Sequence, residues 1–417
     1  MNRERIIVIG AGAGGMLAAG RAAAAGAEVL LLEKMRSPGR KVRITGKGRC
    51  NLTNIAPLPE FIEHFGRNGR FLRQSFHRFF APELMEFFRS LGVELVIERG
   101  GRVFPASGRA PDVVAALRHW LGRQGVELRT SAPVDDIIVE AGRVRGVVCR
   151  GRRIGARAVV LTTGGASYPA TGSTGDGYRM AGAAGHRIVP VRPALVPLVT
   201  AGESASRMAG LRLRNTGVRL VVDSRQRARL FGELEFTDQG VAGPTILTLS
   251  GMAVDALRGR RQVELVLDLK PALDERRLDA RLQRDFARRG KEPLASVLRG
   301  LLPRELVAVC LELTSLPPGL AAGQVRAGQR RRLRTWLKDF RLRVTGHRPL
   351  AEAIVTAGGI DLREVDPRTM QSRLVAGLFL AGEILDLQGD TGGYNLQSAF
   401  STGWLAGGAA AALSREA

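Results

Sequence analysis

Three glycines and one acid near the start of the chain carry its clearest chemistry. Gly10, Gly12 and Gly15 form a G-x-G-x-x-G, with Gly14 inside it, and Glu33 follows about twenty residues later. Glycines at this spacing suit a dinucleotide: Gly10 allows a tight turn, Gly12 lets backbone approach a pyrophosphate, and Gly15 lets a helix pack closely on a strand. The exposed amides at that helix start would hold the phosphates. A carboxylate at Glu33 accepts hydrogen bonds from both hydroxyls of an adenosine ribose and repels a 2′-phosphate, which disfavours NADP here. NAD and FAD both satisfy this set.

The elements that must position these groups are legible around them. Ile6-Ile7-Val8-Ile9 reads as a buried strand, the alanine-rich stretch from Met16 to Ala25 as a helix ended by Gly26, and Val29-Leu30-Leu31-Leu32 as a second strand. Together they make one βαβ unit. Basic residues then alternate with glycine and small polar groups from Gly39 to Asn54, predicting a loop against phosphate or a polar ring. Lys34, Arg40, Lys41, Arg49, Cys50 and Asn51 are its candidate contacts. Residues 60 to 91 read as helical with Pro82 at a helix start, and Val93 to Glu98 with Val103 as strands about Gly100-Gly101. Pro111-Asp112 opens a helix that buries Val114, Leu117 and Leu121.

Residues 126 to 161 alternate as strands until Ala158-Val159-Val160-Leu161 runs into Thr162-Thr163-Gly164-Gly165. Ligands of doubly wound sheets sit at such strand ends, so Thr163, Gly164 and Gly165 are candidates. The small-residue loop behind them, through Tyr168 to Asp176 and Gly177, is too long for a simple connection and leads to a helix ending at Gly185-His186. From Pro190 the texture changes to short β-rich pieces at Leu195 to Val199, Gly217 to Val222, Glu233 to Thr237 and Val263 to Leu269, predicting an antiparallel or barrel-like unit. A helical, arginine-rich part follows. Leu278, Leu282 and Phe286 form its buried stripe, and residues 326 to 340 carry five arginines in which acidic partners look scarce.

The buried-strand pattern returns at Ala353 to Ile360 and again at Leu378 to Gly382 and Glu383, before Gly392-Gly393-Tyr394-Asn395-Leu396 and an alanine-rich helix from Ala399 to Leu413. A positive helix end there would stabilise negative charge on a reduced flavin ring, a pole that NAD lacks. This favours FAD. The predicted architecture is α/β: a Rossmann-like, three-layer FAD-binding domain in two parts, 1–190 and 348–417. It is split by an inserted domain, β-rich over 191–271 and helical and basic over 272–347.

Composition narrows the class. A chain of 417 residues holds roughly two or three structural units. No apolar run reaches membrane-span length, and the basic start at Met1 leads straight into a four-residue apolar run, so a cytoplasmic protein without membrane contact is expected. Cys50, Cys149 and Cys310 are too scattered for a disulfide framework, and with His64, His77, His119, His186 and His347 they offer no metal-ligand spacing. The formal charge of +24 is mostly arginine, since lysine occurs only at Lys34, Lys41, Lys47, Lys270, Lys291 and Lys338. It reflects either base composition or a polyanionic partner.

With these pieces assembled, the chain resembles the BaiN/RdsA-type (YhiN-like) family of NAD(P)/FAD-dependent oxidoreductases, related to fumarate-reductase-like flavoproteins. The matching stretches are the Gly10 loop with Glu33, Gly46 to Asn54, Gly164 to Gly177 with His186, Phe236 to Leu247, and Thr356 to Gly403, above all Asp390-Thr391-Gly392-Gly393-Tyr394-Asn395. The resemblance implies that Gly10, Gly12 and Gly15 hold pyrophosphate and Glu33 ribose, that Gly164 and Gly165 back the cofactor, and that Glu383, Gly393, Tyr394, Asn395 and Leu396 surround the ribityl chain and ring. Relatives tend to read Phe-Thr-His where this chain has Phe236-Thr237-Asp238, so a histidine role there does not transfer.

The implied activity is reduction of a polarised C=C by hydride from flavin N5, with NADH or NADPH as donor and Cys50 or Tyr168 as candidate proton donor. Three readings stand side by side: a dihydrouridine synthase acting on uridine in large-subunit ribosomal RNA, held by the arginine-rich insert; a reductase of small enones such as bile-acid derivatives, or an oxidase of small amines; and a flavin-binding sensor without turnover.

Overall fold

The computed structural model describes residues 5–413, so the basic start at Met1 to Glu4 lies outside the described residues. The chain forms two compact units, one running to Pro193 and resuming at Leu350, the other spanning Ala194–Pro349.

The first unit is built on a parallel sheet of five strands: β1 (Ile6–Ile9), β2 (Val29–Leu32), β3 (Glu127–Arg129), β4 (Ala158–Leu161) and β5 (Leu378–Leu380). Their order is β5-β4-β1-β2-β3. All residues of β1, β2, β4 and β5 are buried, as continuous apolar runs in a sheet covered on both faces must be. Each buried Ile, Val or Leu contributes roughly 1.5–3 kcal/mol against exposure. The chain winds from β1 to β2 on one side, while β4 lies on the other, so the sheet reverses direction between β1 and β4.

Helix α1 (Ala13–Ala24) connects β1 to β2 and starts immediately after the glycine loop, with Gly12 as its N-cap. The predicted loop from Gly39 is helical in part: α2 (Arg40–Gly48) forms after a left-handed Gly39 and kinks at Thr45, Gly46 and Lys47. The glycines that suggested a loop supply its kink instead. The last helix, α3 (Tyr394–Leu413), starts five residues before the expected Ala399. It lies against α1 with nothing but glycine between the backbones. A Cβ on Gly403 would stand 2.2 Å from the Gly14 carbonyl oxygen, and one on Gly407 2.2 Å from that of Ala18. Val355–Ile360 is fully buried as predicted, yet it pairs with Ile188–Ala194 in a two-stranded sheet outside the parallel one.

His186, buried at the end of its predicted helix, sits between Ser372 Oγ (2.9 Å from Nε2) and Glu364 Oε2 (3.1 Å from Nδ1). Burial holds its pKa below the ordinary histidine value against the opposing pull of Glu364, so it acts as a neutral clasp between two loops.

The second unit is a closed six-stranded barrel formed by Leu198–Thr200, Arg212–Val222, Arg225–Phe236, Gly240–Ala242, Val263–Asp268 and Phe340–His347. Helices pack beside it, and Leu278, Leu282 and Phe286 join its core as predicted. The expected shortage of acidic partners is corrected in part. Arg330 and Arg334 both reach Asp279, Arg281 pairs with Asp285, and Lys338 with Asp268 at 2.6 Å. Asp279 lies 51 residues from Arg330 and Asp268 70 residues from Lys338, so no window over 326 to 340 reveals them, whereas Asp285 is an i,i+4 neighbour of Arg281 on its own helix. Among the described residues, no helix is long and apolar enough to cross a membrane and no His, Cys, Asp or Glu group is gathered for a metal.

Candidate active site at the C-terminal strand ends

Every strand of the parallel sheet ends on the same edge, and the chemistry-bearing residues leave from it. Gly10 follows β1, Glu33 follows β2, Thr162 to Gly165 follow β4, and Gly382-Glu383 follow β5. The reversal between β1 and β4 is where open α/β sheets take ligands.

Gly10 has a left-handed φ of 96°, and a Cβ on Gly15 would lie 1.8 Å from the Gly10 carbonyl oxygen and 2.6 Å from Thr162 Oγ1. Gly12 differs: a Cβ there meets nothing within 4 Å. The backbone at Gly12 thus faces open space at the N-terminus of α1, which has no side-chain cap and no acid in its first turn. Free amides and a bare approach are what a pyrophosphate needs. The Glu33 side chain, in a residue only 9% exposed, is oriented by backbone: Oε2 accepts from Ala11 N and Oε1 from Met35 N, each at 2.8 Å.

A polar node ties this edge together. Lys41 Nζ donates to both Glu383 oxygens (2.6 and 2.9 Å) and to Ser167 Oγ (2.6 Å). Glu383 also accepts from Thr356 N at 2.9 Å and Ser167 Oγ at 3.0 Å, packed against Gly165, where a Cβ would stand 2.3 Å from Thr356 Oγ1 and 3.1 Å from Glu383 Oε1. Lys34 pairs with Asp176 at 2.6 Å, and burial of Asp176 is outweighed by bonds from Lys34 and Thr174 that hold its carboxyl below the usual range. Arg40 reaches the Ala170 carbonyl at 3.2 Å.

The start of α3 is assembled separately. Gly392 and Gly393 have φ of 136° and 103°, and a Cβ on Gly393 would collide with the Thr53 carbonyl oxygen at 2.4 Å. Tyr394 stacks on His64 at 3.9 Å, whose Nδ1 lies 2.8 Å from Asp390. Burial and the carboxylates Glu60 and Asp390 push its phenol up to about 12. Asn395 clamps the preceding loop, accepting from Gly389 N and donating to the Gly389 and Asp390 carbonyls, while Leu396 packs against the core.

Three further candidates have distinct surroundings. Cys50 is fully buried, and burial pushes its thiol up to about 12 against a weaker opposing bond with Thr45. The thiol is therefore a weaker acid than a free cysteine and packs in the core. Arg49 pairs with Glu98 and lies over the Phe104 ring at 4.3 Å. Tyr168 remains open: it has a left-handed φ of 49°, is half-buried, and its hydroxyl makes no hydrogen bond among the described residues. Asn51 Oδ1, Thr163 Oγ1 and Gln388 Oε1 are buried without partners, which is costly unless a ligand supplies them.

A model of the HI0933-like protein Rossmann domain matches residues 4–409. The chain belongs to the HI0933-like family. It is 34% identical to the 3-dehydro-bile acid delta(4,6)-reductase of Clostridium scindens over 98% of this chain and 99% of the relative. It is 30% identical to the ribosomal RNA dihydrouridine synthase of Escherichia coli over 97% of both. In fold it is similar to a flavocytochrome c3 fumarate reductase (TM-score 0.52, 20% identity, 98% of this chain, 78% of that one). The same holds for the 3-ketosteroid delta1-dehydrogenase of Sterolibacterium denitrificans (TM-score 0.51, 17% identity, 98% of this chain, 99% of that one).

For this member of the HI0933-like family, sequence reasoning missed His64, Ser167 and Thr356. Their partners, Asp390, Glu383 and the Ala166-Ser167 amides, lie between 189 and 326 residues away. The residues present fit a flavin dinucleotide: an uncapped helix start with open backbone at Gly12, a preset carboxylate at Glu33, and partnerless acceptors at Asn51 and Thr163. Cys50→Ala should leave the rate of substrate reduction within about twofold and the pH–rate profile unchanged near neutrality, because a thiol at about 12 does not titrate there. A lost limb in the stopped-flow pH profile would return Cys50 to catalysis.

Proposed function

We propose that the protein is an FAD-dependent oxidoreductase that reduces a polarised C=C bond, with uridine in large-subunit ribosomal RNA as substrate and dihydrouridine as product. The oxidoreductase reading rests on full-length family membership and on the open, uncapped start of α1 beside Glu33. Within it, Gly10, Gly12, Gly14 and Gly15 hold the pyrophosphate, and Glu33 the ribose. Lys34, Arg40, Lys41, Asn51, Thr163, Gly164, Gly165, Asp176, Gly382 and Glu383 line the cofactor. Gly393, Tyr394, Asn395 and Leu396 bring the positive end of α3 to it. FAD, when bound, supplies the hydride from N5. The Tyr168 hydroxyl is the proposed donor of the second proton, with NADH or NADPH as proposed electron source and the cytoplasm as location.

The single observation that carries the RNA reading is the formal charge of +24, which suits a polyanionic partner. A second reading, reduction of small enones, has its own support in the 34% identity to the bile-acid reductase. Mass mapping of ribosomal RNA from a deletion strain separates them: loss of one dihydrouridine is expected, and an unchanged pattern selects the small-molecule reading. Anaerobic NADH or NADPH should bleach the bound flavin; a protein that stays yellow with both is a sensor without turnover.

A further inference from the structure

The longest hairpin of the barrel joins Arg212–Val222 to Arg225–Phe236 through Asp223 and Ser224, whose φ of 48° and 62° fit the two-residue turns that follow strand twist. From Ala228 onward the even positions of the second strand turn inward, with Ala228 and Leu230 against the barrel core and Leu234 and Phe236 inside it. Arg229 and Phe231 therefore share the outer face, opposite Arg219 and Gly217; beyond Ala228 a bulge at Arg227 shifts the register, so Arg225 stands opposite Val222, and the exposed Arg225 and Arg227 extend the positive charge to the hairpin tip. Phe231 is 64% exposed, more than any other large apolar side chain among the described residues. Its cross-strand neighbour is Gly217, which has no side chain to cover the ring.

The charges on this face are uncompensated. Arg225, Arg227 and Arg229 make no ion pair or hydrogen bond among the described residues, although the field of Arg227 reaches Asp223. Asp223 itself is taken by Arg261 Nε (2.6 Å) and Gln262 N (3.0 Å) at the tip. Arg229 stands directly opposite Arg219, whose own charge is met by Asp339 at 2.6 Å. Like charges opposite one another destabilise a ladder unless an anion lies over them. The face ends at Glu233, next in the outward series.

We propose that this outer face and the hairpin tip beyond it form a docking surface for single-stranded RNA, with Phe231 as a base-stacking platform and Arg229, Arg227 and Arg225 as contacts to the phosphate backbone. Cations in a row attract a polyanion, and an exposed ring beside them offers its face to a base. A duplex keeps its bases stacked on one another, so the ring selects a loop or an unpaired strand. The proposal rests on the RNA reading above and adds to it where the strand is held.

The test is fluorescence anisotropy with a labelled 12-nucleotide single-stranded RNA and the FAD-loaded full chain. Phe231→Ala is expected to weaken binding between about 5- and 100-fold, and Phe231→Leu nearly as much, because bulk without a π-face does not stack. Arg225→Gln/Arg227→Gln/Arg229→Gln should lower the slope of log affinity on log salt by about 2, at roughly 0.7 per phosphate for single strands. Flavin content and thermal unfolding should match the parent, since all four side chains are exposed. If the parent binds RNA steeply in salt and the variants bind alike, the docking surface is wrong while the RNA reading stands. A parent that binds weakly and without salt dependence ends both. Equal affinity for a duplex overturns the stacking role. A dimer that Phe231→Ala converts to monomer, by light scattering, makes the face an interface between copies and overturns the proposal.

Discussion

Gly12→Ala is expected to fold like the parent and lose the flavin, whereas Gly15→Ala is expected to lose the fold's stability itself. The two glycines are three residues apart, yet their surroundings are opposite. At Gly12 a methyl group meets nothing within 4 Å, and the φ of −82° and ψ of −168° suit any residue. The apoprotein should therefore unfold within about 0.5 kcal/mol of the parent in urea, as surface substitutions do. The methyl would occupy the open space beside the first amides of α1, so FAD affinity should fall by 100-fold or more, on the order of 3 kcal/mol. At Gly15 the same methyl is driven to 1.8 Å from the Gly10 carbonyl oxygen, between backbone groups that cannot retreat without separating α1 from β1. Overpacking of that kind costs on the order of 3 kcal/mol. Urea unfolding of both apoproteins and flavin titration of both decide it. Full flavin affinity in Gly12→Ala would show that the dinucleotide does not use this loop.

Lys41→Met is expected to cost about 2 kcal/mol of stability and at least tenfold in flavin retention. The Lys41 and Glu383 side chains are 22% and 19% exposed, and they join α2 to the segment after β5. Removing one partner of a buried pair costs roughly 3–5 kcal/mol, and partial solvent access reduces that here. Glu383 keeps Ser167 and Thr356 N as partners, so the loss is not complete. Lys41→Met/Glu383→Gln should regain part of the stability, since the uncompensated carboxylate is gone. Urea unfolding of the two singles and the double gives the coupling energy, and a value near zero would make the pair incidental.

Features that lie in order along the chain are legible in the sequence. Ile6–Ile9 and Ala158–Leu161 announce themselves as buried strands because a parallel strand covered on both faces must be apolar throughout. The glycine loop is visible because Gly10 and Gly15 fill places where no Cβ fits. The six-stranded barrel was legible as short alternating segments because side chains alternate between core and solvent on every strand.

The tertiary structure decided everything that depends on who meets whom. The small residues of the last helix read as helix formers, but Gly403 and Gly407 are there because α1 lies against them. Cys50 reads as a reactive thiol in a polar loop until packing buries it completely. Lys41 and Glu383 are separated by 342 positions, and three of the six cations between 326 and 340, Arg330, Arg334 and Lys338, pair with the distant Asp279 and Asp268. The physical reason is common to all four. Propensity and periodicity act within a turn of helix or a stretch of strand, whereas desolvation and ion pairing are fixed only when distant segments exclude water from one another.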